Sequence, residues 1–312
     1  MPQALPAMLY HPCYSDLQLP ERHRYPITKY RRLYQSLLDI GVPPSAFTES
    51  IAVNTAQLAQ VHCPAYIQSL QDGSIDAKAM RRIGFPWSAE LFERSLHSLG
   101  GTLQTAQAAL HSGIALHLSG GYHHAFYAEG SGFCLFNDLV FTAKTMLNHG
   151  VDKILLVDLD VHQGDGSAVM LADEPGIISC SIHCEKNFPY RKQRSDWDLG
   201  LAKECTDTEY LDSVQQSLYS LLNWHKPDLV IYDAGVDIHQ HDELGLLTIS
   251  TPALYQRDLL VLQSCVERAI PVAAVIGGGY QRNVDALVHL HLQLFKAAFT
   301  LLGSHFASEI ET

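Results

Sequence analysis

The segment DLDVHQGDG, Asp158 to Gly166, follows directly on an apolar run ending at Val157. In an extended chain alternate residues share a face, so Asp158, Asp160 and His162 would point the same way. A carboxylate and an imidazole two residues apart can grip one cation together. Solvated acids at a capped strand end are the plainer alternative, but two acids and a histidine packed against an apolar strand favour metal binding. A further acid, Asp237, closes the segment AGVD, again after an apolar run. Asp160, His162 and Asp237 would make a site of one nitrogen and two carboxylates. Three protein ligands with an open position is the pattern of catalytic rather than structural zinc. Carboxylates also suit manganese or iron.

Water on a dication needs a base to take its proton and an acid to protonate a leaving group. The tandem His123-His124 in GGYHH offers both. Asp158 and Asp165 remain to orient the two rings if Asp160 is a ligand. Tyr280, at the end of GGGY, could donate a hydrogen bond to an oxyanion, although a packed tyrosine after a tight turn reads as well in isolation. Other clusters look structural. On a strand, Cys180 and Cys184 face opposite to His183, which suggests buried thiols. His289 and His291 fall in an apolar helical pattern. His111, His149 and His225 lie near helix ends, where a cation suits the dipole.

The elements that must position these residues alternate strand and helix. Strands are expected at Ile114–Leu118, Lys153–Val157, Ile177–Ile182, Leu229–Tyr232 and Pro271–Ile276. Helices are expected at Ala89–Leu110, from the Asn137 cap to about Asn148 with Gly150 as its stop, and at Asp285–Leu302. A capping box of Thr206 and Glu209 starts another, running to about Trp224, and Thr251 caps one whose first residue is Pro252. The first hundred residues read as loop-rich and helical, with helical spacing between Tyr25 and Gly41. Residues Asp72–Ser88 read as polar and irregular. Short apolar strands separated by helices imply an α/β fold with a mainly parallel sheet covered on both faces. Its chemistry belongs at the carboxyl edge of the strands. No repeat or linker divides the chain, so residues 1–312 are expected to form one domain.

Composition narrows the class. The 312 residues are 47% hydrophobic and 17% charged, with a net charge of −12 and 17 histidines. An acidic chain with no basic block is a poor nucleic-acid binder and could attract a basic substrate. Seven scattered cysteines without a C-x-x-C pair favour a reducing compartment. Neither a signal peptide nor an apolar span is read in the sequence, so the expected location is the cytoplasm.

In the order GGYHH, GFCLFND, DLDVHQGDG, AGVD and GGGY, over nearly the whole chain, the sequence resembles the zinc-dependent histone deacetylase superfamily with its arginase-like fold. RIGFPWS, TEYLDSV and AGVDIHQHDELGLLTIS look most like the class IV branch and its bacterial relatives, although many class IV members have HQGNG where this chain has Asp165. The resemblance implies one zinc ion bound by Asp160, His162 and Asp237. It makes His124 the general base and acid, His123 its electrostatic partner, Asp158 and Asp165 their orienting carboxylates, and Tyr280 the residue that polarises the acyl carbonyl. It further implies a tunnel walled by Gly132, Phe133 and Phe188, and a structural potassium near Asp158, Asp160, His162 and Ser181.

The expected activity is hydrolysis of acetyl or longer acyl groups from the lysine side-chain amine of a protein or peptide. Acylated polyamines are an alternative substrate. A non-catalytic acyl-ligand binding module is a further alternative. A ureohydrolase with two manganese ions is another, though it leaves Tyr280 and Phe133 unexplained.

Overall fold

Ile154–Asp158, Leu229–Asp233 and Val272–Val275 are buried at every position. Strands so apolar survive only between layers that cover both faces. The computed structural model describes residues 5–312 and shows that arrangement. In chain order the elements are β1 (Ala7–Tyr10), α1 (Lys29–Asp39), β2 (Phe47–Glu49), α2 (Thr55–Leu58), α3 (Pro64–Gln71), α4 (Ala77–Ile83) and α5 (Ala89–Ser112). Next come β3 (Ile114–His117), α6 (Asp138–Asn148), β4 (Ile154–Asp158), α7 (Asp165–Leu171), β5 (Ile177–Cys184) and β6 (Trp197–Leu201). The chain closes with α8 (Asp207–His225), β7 (Leu229–Asp233), α9 (Thr251–Val266), β8 (Val272–Val275) and α10 (Val284–Leu301).

The eight strands form one sheet in the order β2-β1-β3-β8-β7-β4-β5-β6. Every pairing is parallel. Helices cover both faces, and one contiguous apolar core draws residues from Met8 to Ile310. Residues 1–4 of the expected single domain lie outside the described residues.

Capping follows local chemistry. The Asn137 side chain accepts from Val140 N–H at the start of α6, and the Thr206–Glu209 capping box opens α8. The cap of α9 corrects the sequence expectation. It is Ser250, whose Oγ accepts from Ala253 N–H while donating to Asp207, and Thr251 is the first helical residue.

Two further corrections fall where strands are short or segments polar. The first hundred residues contribute β1 and β2, of four and three residues, at one edge of the sheet. β6 alternates apolar with Asp and Gly on the opposite edge. Within 72–88, expected to be irregular, Asp76 caps α4 by accepting from the N–H groups of Lys78 and Ala79.

Candidate active site and metal centre

Four loops converge because their strands are neighbours. β3, β8, β7 and β4 are consecutive in the sheet. Their carboxyl ends deliver the histidine pair, Gly277–Tyr280, Asp237 and the Asp158–Asp165 segment respectively.

Asp160, His162 and Asp237 are all buried, and one ligating atom from each lies within 4.8 Å of the others. His162 Nδ1 is 2.9 Å from Asp160 Oδ1 and 3.1 Å from Asp237 Oδ2. The convergence does not come from strand alternation. β4 ends at Asp158, and Asp160 and His162 sit in the bends beyond it. The carboxylates are fixed from the backbone instead: Gly278 N–H donates to Asp160 at 3.0 Å and Val161 N–H to Asp237 at 2.8 Å. A Cβ at Gly278 would collide with both carboxylates, so only glycine leaves the cluster its room. Burial opposes charge on His162, yet hydrogen bonds to Asp160 and Asp237 hold its imidazole up at about 10. Burial and the nearby Asp160 charge raise Asp237 above the usual carboxylate range. Oxygens of two buried carboxylates thus flank one imidazole nitrogen, which favours the protonated ring. A divalent cation fits this donor set and would compete for that proton's place.

The two histidines differ electrostatically. His123 Nδ1 lies 2.7 Å from Asp158 Oδ2 and His124 Nδ1 lies 2.7 Å from Asp165 Oδ1, with ring centroids 4.2 Å apart. Burial disfavours charge on His123, but Asp158 and Asp160 outweigh it and hold the ring well above its ordinary value. Burial and the His123 charge push His124 down to about 4. The pair therefore presents a charged and a neutral imidazole. A proton on His124 Nδ1 toward Asp165 leaves its Nε2 lone pair for the cleft. Asn137 secures this loop by donating to the carbonyls of His123 and Ala125 and to Ser167.

Gly132, Phe133, Phe188, His124, His162 and Tyr280 line one cleft of about 390 Å³. Gly132 has φ +52°, and a Cβ there would strike the His124 ring. Phe133 is also left-handed, with φ +66°, and its N–H donates to Ile83 O at the end of α4. The segment read as irregular therefore sets a tunnel wall. The Phe188 ring meets His124 edge-on with centroids 4.9 Å apart. Tyr280 N–H donates to Asp242 at 2.7 Å, while burial and the charges of Asp160 and Asp237 keep its phenol protonated far above the ordinary value. A smaller chamber of about 10 Å³ shares His124, Gly132, Phe133 and Tyr280 with this cleft and is further lined by Asp160, His123, Tyr25, Lys29, Tyr122 and Cys134.

Ser181 is buried on β5 in register with Asp158, and its hydroxyl lies 3.0 Å from His183 Nδ1. Cys180, Cys184 and His183 are buried. His291 is buried, with neither ring nitrogen hydrogen-bonded.

Sequence reasoning missed three residues. Asp242 anchors Tyr280. Lys29 is buried below the site, donates to Gly277 O at 3.0 Å and is brought down to about 8 by burial. Asp233 groups with His123 and Asp158, one of its buried oxygens lacking a hydrogen-bond partner. Asp233 and Asp242 flank AGVD in DAGVDIHQHD, where an acid-rich stretch after a strand was the available signal; Lys29 gave none.

A family described as histone deacetylase domain matches residues 23–295. An uncharacterized protein of Picosynechococcus sp. is 47% identical over 293 residues, covering 93% of this chain and 97% of that one. Histone deacetylase 2 of Arabidopsis thaliana is 28% identical over 91% of this chain and 76% of its own. Among solved structures, an HDAC homolog complexed with SAHA superposes with a TM-score of 0.82 at 22% identity, covering 96% of this chain and 85% of that one.

Proposed function

Because the chain belongs to the histone deacetylase family, a family of deacetylase hydrolases, we propose that it releases a short acyl group, acetyl above all, from the side-chain amine of lysine in a protein or peptide, with one zinc ion at Asp160, His162 and Asp237. The observation that carries this reading is the oppositely tuned histidine pair beside a buried three-ligand cluster at the foot of a cleft. When bound there, zinc supplies Lewis acidity toward an amide oxygen and a water.

The chain's own residues supply the rest. His124, neutral, accepts the water's proton at Nε2 as the oxygen attacks the acyl carbon. Tyr280, kept protonated, donates a hydrogen bond to the oxyanion that forms. His123, charged against Asp158, holds positive charge beside that oxyanion. The proton held by His124 then passes to the departing amine, so that acetate and free lysine leave. Gly132, Phe133 and Phe188 grip the methylene stem and exclude water.

The small size of the chamber lined by Asp160, His124 and Tyr280 favours acetyl over a long fatty acyl chain. Potassium near Asp158, Asp160, His162 and Ser181 belongs to the same reading, as do the class IV affinity and a cytoplasmic location. All seven cysteines are free, which supports the last, and among the described residues no helix is long and apolar enough to cross a membrane.

The test is turnover of lysine peptides carrying acyl groups from acetyl to long-chain, with and without a zinc chelator. Chelator-sensitive release of acetyl is the expected result. Binding of one zinc without turnover of any peptide would instead favour the binding-module alternative, and two metals per chain the ureohydrolase.

A further inference from the structure

The mouth of the cleft is charged in a sense opposite to the molecule as a whole. The chain carries −12, yet residues 186–194, NFPYRKQR preceded by lysine, hold Lys186, Arg191, Lys192 and Arg194 with no acid among them. Arg82 and Lys186 line the cleft together with His124 and His162, and no aspartate or glutamate does. Arg82 is satisfied by Glu129 at 2.5 Å and by Gly130 O. On the far wall, Glu243 is satisfied by Arg282 at 3.1 Å. Lys192 spends its ammonium on the carbonyls of Asn187 and Pro189. Lys186, Arg191 and Arg194 are exposed and make no hydrogen bond or ion pair among the described residues.

The backbone that carries these cations is held in place. Asn187 donates to Leu244 O at 2.8 Å and accepts from Leu246 N–H at 2.9 Å. Gln193 N–H donates to Gln163 Oε1 at 2.7 Å, and Gln163 Nε2 donates back to Gln193 O at 2.9 Å. The loop is thereby tied both to the opposite wall and to the segment bearing His162. The nearest following acids are engaged elsewhere: Asp196 accepts from Ser179, and Asp198 from Gln163 and Ser195. Exposed Glu185 stands just before Lys186, so the unpaired Lys186, Arg191 and Arg194 leave a net positive rim on the loop that borders the cleft through Lys186, where a substrate's backbone would lie once its acylated side chain fills it.

We propose that this rim selects an acylated amine bearing a carboxylate close to the acylated side chain, and rejects one bearing further cations. The proposal rests on the deacetylase reading. The carboxylate can come from aspartate or glutamate within a residue or two of the lysine, about 3.5–7 Å along an extended chain, or from the α-carboxylate of free Nε-acetyl-lysine. Polyamines would bring ammonium groups to the same cations, which like-charge repulsion disfavours.

The experiment measures kcat/KM of the zinc-loaded protein at low salt on acetyl-lysine peptides of one length with acidic, neutral or basic flanks. Free Nε-acetyl-lysine and acetylspermidine complete the set. Acidic flanks should exceed neutral ones by about fivefold and basic ones by more, through KM, with the preference fading toward molar salt. Preference for free Nε-acetyl-lysine over the neutral peptide would assign the α-carboxylate as source, and preference for the acidic peptide alone would assign side chains. Lys186→Glu combined with Arg191→Glu should erase or invert the ratio of acidic to basic substrate. Equal or better turnover of the basic peptide or acetylspermidine by the unaltered protein overturns the proposal. If nothing is turned over, the deacetylase reading fails by itself. Fluorescence anisotropy of the labelled peptides then decides the charge preference by the same ordering.

Discussion

The floor of the cleft and its rim are built on different principles. At the floor, Asp160, His162, Asp237, His123 and His124 are buried on the loops leaving β4, β7 and β3, three of four consecutive parallel strands, each tied by hydrogen bonds to backbone or to a second carboxylate. At the rim, Phe188 is 46% exposed and Tyr190 is 98% exposed. Its loop is held by amide side chains rather than by the sheet. The difference separates chemistry from selection. Groups that must hold charge at fixed positions need a rigid, low-dielectric scaffold, whereas a surface that meets varied flanking residues needs only charge and an apolar edge.

The largest expected effects strike the floor. Asp160→Ala or His162→Ala should lose the cation and turnover together, whereas His124→Ala should retain the cation, by metal analysis, and lose roughly 10³-fold in kcat. A His124→Ala protein keeping more than about a tenth of its turnover would break the distinction between ligand and base. Tyr280→Phe should cost about 10²-fold to 10³-fold in kcat with little change in KM.

A pH experiment sharpens the comparison further. His162, held at about 10 before metal binding, must give up its proton to ligate. Zinc binding near pH 8 should therefore release about one proton, measurable with an indicator dye, and affinity should fall about tenfold per pH unit on acidification. Asp237, raised by burial and Asp160, adds to the loss as pH falls further. Proton-neutral binding would remove the protonated-ring account.

Smaller effects belong to the walls. Gly132→Ala combines a left-handed backbone with a clash against His124, so both stability, by about 1 kcal/mol, and kcat, by about tenfold, should fall. Gly113→Ala is the control, with a positive φ but nothing within 4 Å of the added Cβ, and should lower stability alone in a denaturant titration. Phe188→Ala should raise KM by about fivefold and leave kcat nearly unchanged, because only part of the ring is covered. A change confined to kcat would move Phe188 from wall to floor.

The floor was legible because its chemistry is written in short segments, each directly after a strand of β-branched and apolar residues. DLDVHQGDG, AGVD, GGYHH and GGGY each stand there. The supporting residues were not. Lys29 sits at the first turn of α1, 248 residues before the Gly277 carbonyl it donates to, and a lysine carries no mark of burial in its own sequence. α4 was hidden by the polar composition of AKAMRRI, although its end fixes Phe133. The edge strands β1, β2 and β6 were too short or too interrupted by polar residues for periodicity to show them.

By itself the sequence determined the residue types able to bind a cation, move protons and donate to an oxyanion, and the alternation of strand and helix that places such residues at strand ends. Those properties are local, set by side-chain chemistry and by hydrophobic spacing over a few residues. Tertiary structure alone decided that β3, β8, β7 and β4 lie side by side, so that loops far apart in the chain share one site. It also set His123 and His124 to opposite protonation, since burial and neighbouring charge are properties of the folded environment rather than of the residue.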